Sequence, residues 1–98
     1  MFMPLACLSF YARAYVDYLT SEEAKGDSDG AHCFLGLIEI RMEDVANSGR
    51  EFALLIIETL DQLGKTQVWY DADESIYGSF NRRAEKLIGK LRSKINQN

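Results

Sequence analysis

The chain has 98 residues, 47% hydrophobic and 27% charged, with a net charge of −4 and a pI near 4.9. That length fits one domain spanning 1–98, and such a chain buries roughly 60–65% of its unfolded surface, enough for one core without staples. The composition excludes disorder, which needs fewer apolar residues and more net charge, and the acidic balance argues against nucleic-acid binding.

Helix 1 is expected over 4–19. Pro4 suits a first helical position, where its missing N–H is no loss. Leu5, Leu8, Ala12, Tyr15 and Leu19 recur at helical spacing. Phe10, Tyr11, Val16 and Tyr18 widen the apolar surface beyond one stripe. Such breadth suits burial on two sides or self-association. Phe2, Met3, Phe10, Tyr11 and Tyr18 are therefore the expected interface of a homodimer or larger homo-oligomer. Thr20 and Glu23 have capping-box spacing for a short extra turn. "PLAC" at 4–7 is a weak echo of a lipoprotein cleavage box, but no charge precedes Arg13 and only six residues precede Cys7, so a secretory signal is not expected. No 18-residue uncharged apolar run exists to cross a membrane.

Residues 30–46 carry two patterns. Ala31, Leu35, Ile38, Met42 and Val45 make a helix stripe, whereas Ile38, Ile40 and Met42 against Glu39 and Arg41 alternate as in a strand. The length of the stripe and Asp29 as an N-cap favour a helix. Residues 49–63 read as a helix begun by a Ser48–Glu51 capping box. Its face is Phe52, Leu55, Ile56, Thr59, Leu60 and Leu63, and Gly64 is the expected C′ residue. Residues 66–70, "TQVWY", have strand propensity. The last helix is expected over 79–95, with Phe80, Ala84, Leu87, Ile88, Leu91 and Ile95 facing the core. The expected fold is all-α, a small four-helix bundle. The alternative is an α+β fold, with a two-stranded sheet from 34–42 and 66–70.

Several chemistries are tested by residue type. "DSDG" at 27–30 resembles part of a calcium loop, but Lys25 and Gly36 stand where acids are needed. "DADES" at 71–75 likewise meets Ile76 and Arg82. No metal or cofactor is expected. His32 is the only histidine and adjoins Cys33, and helical neighbours do not face each other, so no Cys–His pair forms. Cys7 and Cys33 read as reduced thiols in a cytoplasmic core. "LGKT" at 63–66 lacks the first glycine of a phosphate loop, because Leu60 stands in its place. Glu39, Glu43 and the acids at 71–74 are the candidates for acid–base chemistry, which requires a cleft.

The charge is uneven. Residues 1–80 hold 14 acids and 5 bases, whereas 81–98 hold 6 bases and only Glu85 as an acid. Arg82, Arg83, Lys86, Lys90, Arg92 and Lys94 form a basic stripe without interleaved aromatics for stacking on bases.

Residues 66–80, "TQVWYDADESIYGSF", place aromatic rings beside acids. Rigid anchors with charge that steers a basic partner are the ingredients of a binding hot spot. On extended backbone Trp69 and Tyr70 point opposite ways, and two readings stay open: the rings cap the core, or at least one faces out as an anchor. The expected contacts are Trp69, Tyr70, Asp71, Asp73, Glu74 and Tyr77. In these residues the chain resembles bacteriocin immunity proteins, small acidic helical proteins that block basic toxin nucleases. That resemblance implies a non-enzymatic inhibitor of a basic protein.

Overall fold

The computed structural model describes residues 5–96, with backbone only at 5–7 and 9. Phe2, Met3 and Pro4 lie outside the described residues. The elements are α1 (Leu5–Leu19), a 3-10 turn (Glu22–Ala24), α2 (Ser28–Ile40), α3 (Met42–Asn47), α4 (Arg50–Lys65), α5 (Glu74–Tyr77) and α6 (Phe80–Asn96). No strand occurs among the described residues, so the fold is all-α and the alternative sheet is absent. The body measures 36 × 23 × 22 Å.

The central pair is α4 and α6, which run along one another, with α1, α2 and α3 packed around them. α4 buries Phe52, Ala53, Ile56, Ile57, Thr59, Leu60 and Leu63. Full burial of each large aliphatic or aromatic side chain contributes about 1.5–3 kcal/mol. Thr59, the one polar core residue among those described, donates its hydroxyl to the Leu55 carbonyl at 2.9 Å. That bond within the helix satisfies a group which would otherwise be stranded. α6 answers with Phe80, Ala84, Leu87 and Leu91, while Ile88 and Ile95 pack half-buried at its margin. From α1 come Leu8, Ala12, Val16 and Leu19.

Five expectations about helix ends are corrected, the last of them at Gly64. The expected single helix over 30–46 breaks at Arg41, whose φ of −105° and ψ of 27° leave helical geometry. Glu43 and Asp44 then occupy the first turn of α3, where acids suit the positive end of a new helix. The stripe survives the break, since Ala31, Leu35 and Ile38 on α2 and Met42 and Val45 on α3 are all buried. The N-cap of α2 is Asp27 rather than Asp29, because the Asp27 carboxylate accepts the Gly30 N–H at 3.0 Å. Ser48 does not cap α4. Its hydroxyl turns back to the Asp44 carbonyl at 2.6 Å, and Gly49 is the N-cap. Thr20 likewise bonds back to Val16 at 2.9 Å, and Ser21 precedes the 3-10 turn without a side-chain cap.

Gly64 is inside α4, not beyond its end. A Cβ there would stand 3.2 Å from both the Ala84 Cβ and the Asn81 Cα of α6. The absent side chain is what lets the two central helices meet at that level. Gly64→Val is expected to destabilise the fold by about 1–3 kcal/mol through overpacking, read as a lower urea midpoint at unchanged slope.

Candidate functional site

Residues 66–80 do not form a strand. Successive bonds from the N–H groups of Trp69, Tyr70 and Asp71 to the carbonyls of Thr66, Gln67 and Val68 wind them into turns. Asp71 ends that run at φ 56°, a left-handed conformation that Asp tolerates better than most residues. The Trp69 carbonyl accepts the Gly26 N–H at 3.0 Å and so ties these turns to the chain ahead of α2.

The two adjacent rings do not point opposite ways, because the backbone is not extended, and both pack on the core. Tyr70 turns inward and is 1% exposed, with its hydroxyl donated to the Leu19 carbonyl at 2.6 Å. That carbonyl belongs to the last turn of α1 and has no partner within the helix. Burial pushes the Tyr70 hydroxyl pKa up. Trp69 is half-buried against the core, edge-on to Tyr70 with centroids 4.8 Å apart. Tyr70 is thus a core residue, and its place among the expected contacts is corrected. Tyr77 is also half-buried. Its hydroxyl donates to Asp29 at 2.6 Å, which raises its pKa, and its ring lies 5.1 Å from that of His32.

Gln67 carried no signal in the sequence, yet it organises the loop. Its side-chain amide donates to the Ala72 carbonyl at 3.1 Å and to the Gly78 carbonyl at 2.9 Å. Its side-chain oxygen accepts the Phe80 N–H at 3.0 Å. One side chain thereby joins both ends of the loop to its middle. Asp73 caps α5 by accepting both the N–H and the hydroxyl of Ser75, which hold its carboxyl below the usual range.

What this frame presents outward is apolar and acidic. Val68 is 91% exposed and Ile76 73%, unusually high for branched aliphatic residues. Val68 lines a shallow depression of about 250 Å³ with Asp71, Ala72 and Asp73. Asp71, Asp73 and Glu74 are exposed, and among the described residues none of them forms an ion pair. Sequence reasoning passed over Val68 and Ile76, because single aliphatics in a short apolar run read equally well as core.

The other candidates are placed differently. Glu43 pairs with Lys94, Asp44 with Arg41 at 2.6 Å, and Glu39 with Arg83 at 3.8 Å. Each of these carboxylates meets a cation, and Glu39 lines a hollow of about 630 Å³ with Lys90 and Lys94. Arg83 also reaches His32 Nδ1 at 2.8 Å, and because a guanidinium only donates, Nδ1 is the acceptor there. Cys33 is exposed, which corrects its expected core position. The side chain of Cys7 lies outside those described. No cluster of three or more His, Cys, Asp or Glu able to hold a metal occurs among the described residues. None of their helices is long and apolar enough to cross a membrane. No protein-family model, curated protein or solved structure matches the chain.

Gln67→Ala removes three hydrogen bonds and leaves the Phe80 N–H without its acceptor. It is expected to cost about 1–3 kcal/mol and to abolish hydrogen-exchange protection of the Phe80 amide, while amides inside α4 keep their relative order. Protection unchanged at Phe80 would show that Gln67 does not hold the loop.

Proposed function

We propose that the protein is a small cytoplasmic, non-enzymatic binding module that occludes a basic protein partner through the 68–76 loop. One observation carries this reading: a cross-tied loop holds Val68 and Ile76 in solvent among three acids that form no ion pair among the described residues. Preorganisation lowers the ordering cost of association. The acids steer a positive partner, and the aliphatic side chains are then buried with it. The role matches that implied by the likeness to immunity proteins. The anchors differ, because Val68 and Ile76 take the places first expected of Trp69 and Tyr70. Asp71, Asp73 and Glu74 keep the steering role, with Trp69 and Tyr77 supporting the loop from behind.

A tagged chain is expected to retain one basic protein from lysate of the source cell in stoichiometric amount, less so as salt rises. Val68→Ser with Ile76→Ser should weaken that complex at least about tenfold, or ~1.4 kcal/mol, without changing the circular dichroism. Undiminished capture by a folded double variant would refute the loop as the contact surface.

A homo-oligomer through α1 is the second reading, and one feature favours it. Phe10 is 80% exposed and Tyr11 50%, side by side on one helix. Tyr18, by contrast, is half-buried with its hydroxyl on Asp27. If α1 forms the interface, light scattering should give a multiple of the 11.1 kDa chain mass, reduced to the monomer by Phe10→Asp. A monomer at high concentration would remove this reading.

A further inference from the structure

A second surface, on α1 and the start of α2, shares no lining residue with the loop. Tyr11, Tyr15 and Tyr18 stand at i, i+4 and i+7, and so on one side of α1. With Ala14, Asp27 and Gly30 they line an open hollow of about 380 Å³, within the size range of small-ligand pockets. Ala14 contributes only a methyl group between the rings. The Tyr11 ring meets that of Tyr15 nearly at right angles, at 81° and 6.1 Å between centroids. Two of the rings are fixed at their far ends. The Tyr15 hydroxyl donates to the Gly30 carbonyl at 2.6 Å, and the Tyr18 hydroxyl to Asp27 Oδ2 at 2.6 Å.

The electrostatics have one sign. No base is among the lining residues. The Tyr18 hydroxyl and the Gly30 N–H hold the Asp27 carboxyl below the usual range, so it stays ionised well into mild acid. Burial first, then neighbouring groups led by Cys33, push the Tyr15 hydroxyl up to about 12, so that ring stays a neutral phenol at physiological pH. Aromatic rings attract a cation placed within about 6 Å of their centroids, and the carboxylate adds a full counter-charge.

We propose that this hollow binds a small alkylated ammonium ion of the choline class. The preference for an alkylated over a bare ammonium follows from the hydrogen bonds already made. Asp27 Oδ1 accepts from Gly30, Asp27 Oδ2 from Tyr18, and the Gly30 carbonyl from Tyr15. A bare ammonium brings four donors that need acceptors, and each of these oxygens already has one of its two lone pairs taken. A quaternary ammonium brings none, and its methyl groups pack on rings.

The test is a ¹H–¹⁵N NMR titration of the full chain with tetramethylammonium and choline chlorides. Ammonium chloride serves as the salt control and 3,3-dimethylbutan-1-ol as the neutral twin of choline. The expected result is saturable shifts at the amides of Ala14, Tyr18 and Gly30 with both quaternary ions, at a Kd of roughly 1 mM or tighter. The two controls should give no saturable shift. Tyr11→Ala, at a half-exposed position that leaves the fold intact, should weaken binding about three- to thirtyfold. Asp27→Asn keeps an acceptor for the Gly30 N–H and should weaken it in the same way. Equal binding of the neutral twin, unchanged affinity in both folded variants, or shifts that never saturate would each overturn the proposal.

Discussion

The hydroxyl of Tyr70, 2.6 Å from the carbonyl of Leu19, joins two points 51 residues apart in the chain. It supplies the last turn of α1 with the donor its backbone lacks. It also sets the direction of everything after α4. Once that ring is committed to the core, Trp69 can only lie edge-on along the core margin, and the turn on either side must carry Val68 and the acids outward. The Trp69 carbonyl bonded to Gly26 and the Gln67 amide bonded to Ala72 and Gly78 then remove the remaining freedom. A stretch that reads as an aromatic–acidic patch is in fact layered, with rings beneath and aliphatics with carboxylates above.

The helices were legible because their signal is spread over many residues. The stripe from Phe52 to Leu63 and the stripe from Phe80 to Leu91 each repeat several times, so no single position decides them. Helix ends were less legible because one or two residues settle them. Asp27 and Asp29 are both good caps by type, and only the position of Gly30 over the Asp27 carboxylate chooses between them. Ser48 and Glu51 have the right spacing for a capping box, but the Ser48 hydroxyl found a nearer acceptor in Asp44. Gly64 matched a helix end by type, whereas its role depends on Ala84 and Asn81 arriving from another helix. The candidate loop was legible in location and charge and misread in detail. Strand propensity in "TQVWY" had no partner strand to act on, since 34–40 is helical, and the function of Gln67 exists only after the chain has folded around it.

The uneven charge along the chain is partly cancelled in space. α6 carries most of the bases and lies against α2 and α3, where Arg83 meets Glu39 and Lys94 meets Glu43. Exposed pairs of this kind contribute little stability individually. Their effect is on where charge is left over. Glu39 of α2 and Glu43 of α3 are drawn into pairs with α6, whereas Asp71, Asp73 and Glu74 form no ion pair among the described residues. Negative charge is therefore left without an ion pair at the loop.

The chain has a single tryptophan, half-buried against the core with its indole edge-on to the Tyr70 ring. Its emission therefore comes from one environment, adjacent to Val68 and sensitive to the packing of Tyr70. Removal of water above the loop shifts that emission in one direction, and exposure of the indole by local opening shifts it in the other. The molecule thus carries an optical reporter that distinguishes occupation of its surface from loosening of its core, without any label.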